Sequence, residues 1–383
     1  MGSVAIAGVS FSDQVRAATA RLGFDAVGIA RASDAIDEDF ARYEAFLKAG
    51  MHGEMGWLAE NAGVRARLDG DGILRGAKSV VCVARRYQGP GAPPAELSGS
   101  KKDARAVPFA QTIARYARGR DYHRFLRRRV RRLATFIRSL GTPEHPVRAR
   151  PLCDEEPVLE RAWAVRAGLG FIGKNGMLIV PGLGSMVLLG EVVTTLDLDD
   201  LPPPSLQRRQ NLEERCGACT RCLDACPTGA FSSAFVLDPR RCVSYLTIEQ
   251  RGAIAPELRE GVGMHLFGCD DCQTVCPFNA GAGARAPLDA RDGRPFAPLE
   301  RWSSTLLESL LSLDDIGWRA LFEGSPLRRA GRPGIARNAA IVLGNRQDPS
   351  ALPALREAVR GHDDPMVRET ASWAVDRIER PRA

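Results

Sequence analysis

The chain has 383 residues, 44% of them hydrophobic, with a formal net charge of +7 and a pI near 9.0. That length accommodates two or three domains, and no apolar run is long enough to cross a bilayer, which excludes a membrane-spanning protein. The basic balance fits a polyanionic partner but does not by itself identify one.

The first thirty residues read as a short apolar lead and an amphipathic helix, without the charged start and continuous apolar core of a secretory leader, so a cytoplasmic location is expected. Residues 1–200 alternate helical patterns with strand-like runs at Ala26 to Ala30, Ser79 to Ala84, Met177 to Val180 and Met186 to Thr194, the pattern of an α/β domain. Between Arg115 and Arg138 ten arginines stand against one acid, Asp121, while Leu126, Val130, Leu133, Ile137 and Leu140 recur at four and three. This is an amphipathic helix with a basic outer face, either solvated or touching phosphate.

Asp154, in Cys153-Asp-Glu-Glu-Pro157, precedes a helical pattern and reads locally as an N-cap. Gly168-Leu-Gly-Phe-Ile-Gly173 matches G-x-G-x-x-G, but a dinucleotide fingerprint follows a strand and opens a helix. Here the order is reversed. These glycines are expected to end a helix and admit a close backbone approach.

Leu201-Pro-Pro-Pro204 reads as a linker into a cysteine-rich region that spans 205–290. Cys216, Cys219, Cys222 and Cys226 form C-x2-C-x2-C-x3-C followed by Pro227, and Cys269, Cys272 and Cys276 repeat the pattern before Pro277. In two-cluster ferredoxins three close thiolates hold one cubane and the fourth crosses to the other. The second run has Leu266 where its first ligand would fall, and Cys242 is the candidate replacement. One [4Fe–4S] cluster is then expected on Cys216, Cys219, Cys222 and Cys276, the other on Cys226, Cys242, Cys269 and Cys272. Zinc fits a run of three such cysteines poorly, and disulfides need an oxidising compartment. Cys82 and Cys153 read as core residues or site lining.

Residues 295–383 are helical and weakly repetitive. Arg337-Asn-Ala-Ala340 recurs as Arg368-Glu-Thr-Ala371, and Asp348-Pro349 and Asp364-Pro365 stand at helix starts, which fits a pair of HEAT-like repeats or an ordinary helical hairpin.

Taken serially, Ala114-Arg-Tyr-Ala-Arg-Gly-Arg-Asp-Tyr-His123, Asp154 with Pro157-Val-Leu-Glu-Arg161, Ala167-Gly-Leu-Gly-Phe-Ile-Gly-Lys-Asn175, Leu189-Gly-Glu191, both cysteine runs, Cys242 and Arg337-Asn338 resemble the epoxyqueuosine reductases. The resemblance covers nearly the whole chain. It implies an α/β cobalamin-binding catalytic domain, a ferredoxin-like domain with two [4Fe–4S] clusters and a HEAT-like tRNA-binding domain. The implied reaction converts the epoxide of epoxyqueuosine in a tRNA anticodon to queuosine. Electrons would come from an external flavodoxin- or ferredoxin-type donor through the clusters to cobalamin, in a protein expected to be a monomer.

By the same resemblance Asp154 is the proton donor, its carboxyl expected to be raised by burial and by the lack of a close cationic partner. Cobalamin contacts implied are Arg67, Ala114, Asp154, Lys174, Asn175, Leu178 and Leu189 from the first domain, and Ser244, Cys269 and Asp270 from the second. Gln250, Arg251, Arg337 and Asn338 are the implied tRNA contacts, against solvated surface charge as the plain reading of each basic residue. Glu155-Glu156 after the acid and Phe278, where many relatives have tryptophan, depart from the pattern. A reductive dehalogenase shares the cofactor logic but usually carries a twin-arginine export signal, and a plain electron carrier would leave the first 200 residues without a task.

Overall fold

Residues 9–87, 107–198, 214–281 and 294–380 are described by the computed structural model; the proline-rich 201–204 and the glycine- and alanine-rich segment near Ala290 lie outside them. The first part is built on a four-stranded sheet of order β1-β2-β6-β3, from strands β1 (Ala26–Arg31), β2 (Ser79–Arg86), β3 (Ala149–Leu152) and β6 (Val187–Thr194). Each pairing is antiparallel. β2 is buried along its whole length, because helices cover both faces and a strand so placed needs a continuous apolar run.

On one face Val81, Val83 and Val192 meet α1 (Phe11–Arg21) and α3 (Tyr122–Arg138) through Val15, Ala18, Leu126, Val130, Leu133 and Ile137. On the other Val80, Cys82 and Val193 meet Trp163 and Ala164 of α4 (Glu160–Arg166). Helix α2 (Asp37–Lys48) lies between β1 and β2 in the chain. α3 has the expected stripe, with Arg124, Arg128, Arg131 and Arg132 exposed opposite it.

After α4, Gly168 takes φ 76 and ends the helix. At Gly170 an added Cβ would lie 2.0 Å from the Ile179 carbonyl oxygen, so the glycine turn is pressed against the small hairpin of β4 (Phe171–Ile172) and β5 (Leu178–Ile179). The close approach read from the glycines is therefore made to the protein's own backbone.

The cysteine region is mostly short turns: α5 (Arg221–Asp224), a hairpin of β7 (Phe231–Ser233) and β8 (Val236–Leu237), α6 (Val243–Ile248), α7 (Pro256–Val262) and α8 (Asp271–Thr274). Beyond it come α9 (Asp315–Leu321), α10 (Gly331–Arg346), α11 (Leu352–Gly361) and α12 (Pro365–Glu379). Asp364 caps α12 by accepting the Met366 amide, and Asp348 caps the turn before α11 through the Ser350 amide, as the Asp-Pro pairs predict. α10 is buried on all sides from Gly334 to Gly344 and forms the centre of the last core.

Candidate active site and iron–sulfur centre

The cysteines fall into two spatial groups. Cys216, Cys219, Cys222 and Cys276 line one cavity of about 140 Å³ together with Lys174, Arg215 and Arg221. Lys174 holds this loop from the first domain, its Nζ donating to the carbonyls of Gly217 (2.6 Å) and Cys219 (3.1 Å). In the second group burial raises the Cys242, Cys269 and Cys272 thiols, and neighbouring sulfur adds to it: Cys226 acts on Cys242, and Cys242 on Cys269 and Cys272. Cys272 also feels Cys222, so the groups adjoin. Cys82 and Cys153 are buried in the sheet domain, away from both.

The acid loop sits at the N-terminus of α3. Asp121 caps that helix through the His123 amide and also takes His123 Nδ1 at 2.6 Å. The far side of the imidazole, Nε2, lies 2.7 Å from Asp154 Oδ2, and Tyr122 donates its hydroxyl to the same oxygen at 2.8 Å. One imidazole thus bridges two carboxylates. Burial would lower the His123 pKa, but Asp121 and Asp154 outweigh it and push it up to about 9.

For Asp154 burial acts upward and loses to the bonds from His123 and Tyr122, which hold the carboxyl below its usual range. The expectation of a raised acid without a cationic partner is therefore corrected: the partner is His123. The N-cap reading also fails, since α4 begins at Glu160 after Leu159 and Asp154 stands in a loop at φ 65.

That left-handed backbone is held by acids rather than by glycine. Glu160 accepts the Asp154 amide at 2.9 Å, Glu156 accepts the Cys153 amide at 2.7 Å, and Glu155 pairs with Arg127. Burial and the Asp154 charge raise Glu160 to about 7. Behind it Glu191 is fully buried without a hydrogen-bond partner among the described residues, and burial with the Glu160 charge holds it well above the usual range.

Of the residues proposed for cobalamin, Ala114, Asn175 and Asp270 lie at one seam between the sheet domain and the cysteine region. Ala114 donates its amide to Phe267, Asp270 accepts the Arg115 amide at 2.8 Å, and Asn175 reaches the Cys272 carbonyl at 3.4 Å. Ser244 accepts the Cys269 amide at 3.1 Å. Leu178 is buried and Leu189 half-buried in the sheet domain. Arg67 is exposed and paired with Asp69 at 2.8 Å. Tyr116 joins the seam to the acid loop: its ring lies 6.5 Å from that of Phe267 and 5.7 Å from that of Tyr122, which bonds Asp154.

Of the four residues proposed for tRNA, Gln250 is half-buried and Arg251 exposed. Arg337 and Asn338 are wholly buried. Arg337 donates to the carbonyls of Leu246 (2.7 Å), Gln250 (2.9 Å) and Gly252 (2.5 Å), and Asn338 to those of Thr247 and Leu266. Their side chains are spent inside the protein, so the expected phosphate contact is replaced by a scaffolding role. Conversely, His123, Tyr122 and Glu160 were not singled out as functional, although Asp121-Tyr-His123 at the start of a basic helix was the available signal.

Two groups of thiols at this spacing, in a domain of short turns between an antiparallel sheet domain and a helical one, define an iron–sulfur protein. Residues 215–279 match the 4Fe-4S double cluster binding domain, 67–155 the family described as Epoxyqueuosine reductase QueG, DUF1730, and 325–383 the HEAT repeats. The chain is 39% identical to the epoxyqueuosine reductase of Pseudomonas aeruginosa over 93% of its own length and 91% of the relative's. For that of Gloeobacter violaceus the identity is 41%, over 86% and 95%. It also superposes on an epoxyqueuosine reductase crystallised with an epoxyqueuosine-modified tRNA-Tyr stem loop, with TM-score 0.78 and 30% identity, covering 96% of this chain and 89% of that one. The chain belongs to the epoxyqueuosine reductase family, and is an oxidoreductase.

Proposed function

We propose that this protein reduces the epoxide of epoxyqueuosine at the tRNA wobble position to the alkene of queuosine, using two electrons and two protons and releasing water. The observation that supports the reading is the run of contacts from the His123–Asp154 pair through Tyr122 and Tyr116 to Phe267, two residues before Cys269. Cys216, Cys219, Cys222 and Cys276 hold one [4Fe–4S] cluster in this reading, and Cys226, Cys242, Cys269 and Cys272 the other.

The seam suits a wide macrocycle with an apolar face and a carboxamide rim. Half-buried Leu189 offers apolar wall, with the core residue Leu178 behind it; Ser244, Asn175 and Asp270 offer polar groups; and Gly268 brings backbone close, an added Cβ there meeting the Ala114 Cβ at 2.7 Å. Cobalamin held there supplies strongly reducing cobalt for cleavage of the epoxide carbon–oxygen bond.

The chain's own residues handle the oxygen. As the bond opens, oxygen gathers negative charge and needs a proton. His123 holds the proton, and Asp154, with its side chain 46% exposed, relays it from the imidazole to that oxygen. Tyr122 fixes the carboxylate oxygen that faces the imidazole. Gln250, Arg251 and the outer arginines of α3 are the candidate tRNA contacts. The test is anaerobic reconstitution with iron, sulfide and cobalamin, then nucleoside analysis of epoxyqueuosine-containing tRNA under a strong reductant. Loss of epoxyqueuosine with matching gain of queuosine is expected; an unchanged nucleoside overturns the reading.

A further inference from the structure

Making an alkene and water from an epoxide consumes two protons, and His123 holds one. The second is needed at the same oxygen, when the hydroxyl left by ring opening departs. Glu191 takes no part in the steps above, yet it is an acid in the middle of the sheet. β6 lies between β2 and β3, and Glu191 is paired with Cys82 on one side and Leu152 on the other. It is fully buried, and neither carboxyl oxygen has a hydrogen-bond partner among the described residues. A carboxyl so placed keeps its proton, because an anion there would lose its water and gain no donor.

Side chains opposite one another in a sheet share a face, so Glu191 points the same way as Cys82 and Leu152, which cluster with Trp163 and Ala164 of α4. Glu160 stands one helical turn before these two, on the same side of α4. Its Oε1 accepts the Asp154 amide at 2.9 Å, and Asp154 closely follows Leu152, the β3 partner of Glu191. In the other direction along β6, about 7 Å from Glu191, half-buried Leu189 shares that face. The charges acting on Glu191 are all acidic, from Glu160, Glu156 and Asp154, and burial keeps the nearby thiols of Cys82 and Cys153 protonated. Glu191 is thus the innermost of a row of acids that runs through Glu160 and ends at the exposed Asp154.

We infer that Glu191 stores the second proton and that Glu160 passes it to Asp154, so that one acid loop serves both protonations. This rests on the reaction proposed above. At ring opening one carbon–oxygen bond breaks, the two electrons from the reductant end on the carbon, and the His123 proton reaches the oxygen through Asp154. The alkene then forms from that electron pair as the second carbon–oxygen bond breaks, and the departing hydroxyl takes the Glu191 proton and leaves as water. Neutral His123 and ionised Glu191 remain, and each regains a proton from solvent before the next turnover.

Single-turnover reduction of epoxyqueuosine-containing tRNA by the reconstituted full chain tests this, with dihydrogen phosphate varied at constant pH and ionic strength. Glu191→Gln keeps the shape of the side chain but has no proton to give, so its rate should fall about 10²-fold. Dihydrogen phosphate, reaching the exposed Asp154, should restore that rate in proportion to its concentration and leave the parent rate unchanged. Cofactor loading and tRNA affinity should match the parent. Infrared spectra at neutral pH should show a protonated carboxyl that is lost in Glu191→Gln and shifted in Glu160→Gln. If Glu191→Gln does not fold, Glu160→Gln, whose amide oxygen still accepts the Asp154 N–H, must show the same slowing and the same rescue. A parent-like rate, a loss that the added acid does not mend, or an ionised Glu191 in the infrared spectrum each overturns the inference alone. A parent that leaves epoxyqueuosine unchanged defeats the proposed reaction and this inference with it.

Discussion

Helices α3 and α10 are nearly equal in length, 17 and 16 residues, and both carry arginine, yet they use it in opposite ways. α3 buries one stripe and turns Arg124, Arg128, Arg131 and Arg132 to solvent, while its N-terminus presents Tyr122 and His123 to Asp154. α10 is enclosed on every side, and Arg337 faces inward to bind the Leu246 carbonyl of α6 and the carbonyls of Gln250 and Gly252 just after it. The difference lies in what surrounds the charge. A guanidinium offers five donors, and where backbone carbonyls converge it replaces water with protein acceptors; where none converge it stays hydrated.

The contrast breaks first at the end of α3. Asp154→Asn keeps size and hydrogen bonding but carries no transferable proton, so single-turnover reduction should fall by about 10²–10⁴-fold with cofactor loading intact. Near-parental rates would remove Asp154 from the chemistry. At α10 the expected loss is of structure. Arg337→Ala leaves the buried Leu246 carbonyl and the part-buried carbonyls of Gln250 and Gly252 without their donor and should destabilise the protein by about 3 kcal/mol, read as a fall in thermal midpoint, while tRNA affinity of the folded fraction is kept. A stable variant with weakened tRNA binding would return Arg337 to the nucleic-acid surface.

Acidity gives a third handle. His123 is raised from 6.5 to about 9, so its proton is present at neutral pH and is lost as pH rises through about 9. Turnover should decline above that point by about tenfold per pH unit, and His123→Gln should abolish the inflection. The stabilisation from its charged pairing follows the same sign, full below 6.5 and lost by the upper limit. An inflection unchanged in His123→Gln would assign it to another group. The smallest effect is expected on the outer face of α3, where Arg124→Gln with Arg128→Gln should weaken tRNA binding severalfold and reduce the salt slope by about two. Equal affinity at all salt concentrations would leave that face merely solvated.

What could be read from the residues alone follows the range over which each feature is built. The cysteine spacing is local, set by short turns whose geometry repeats, and Cys242 could be found by counting thiolates. The capping aspartates at 348 and 364 are local too. The acid site is not: Asp121 and His123 come from α3, Asp154 from a loop after β3, and Glu160 from α4, and only the fold brings them within hydrogen-bond reach. Hence an acid at position 154 was legible, but its exposed side chain and its cationic neighbour were not. Arg337 was assigned to tRNA by resemblance, and nothing in the residues around it tells an arginine aimed at phosphate from one aimed at another element's carbonyls.

The Arg337 contacts also have a consequence in time. The ribosome makes the cysteine segment first and Arg337 well afterwards, so until α10 emerges the carbonyls of Leu246, Gln250 and Gly252 have only water to bind. The stretch just after Cys242 cannot reach its final form during that interval. Closure of the group of Cys226, Cys242, Cys269 and Cys272 is thereby ordered behind synthesis of the last helices, and a nascent chain stalled before residue 337 should leave Cys242 more open to alkylation than the released protein does.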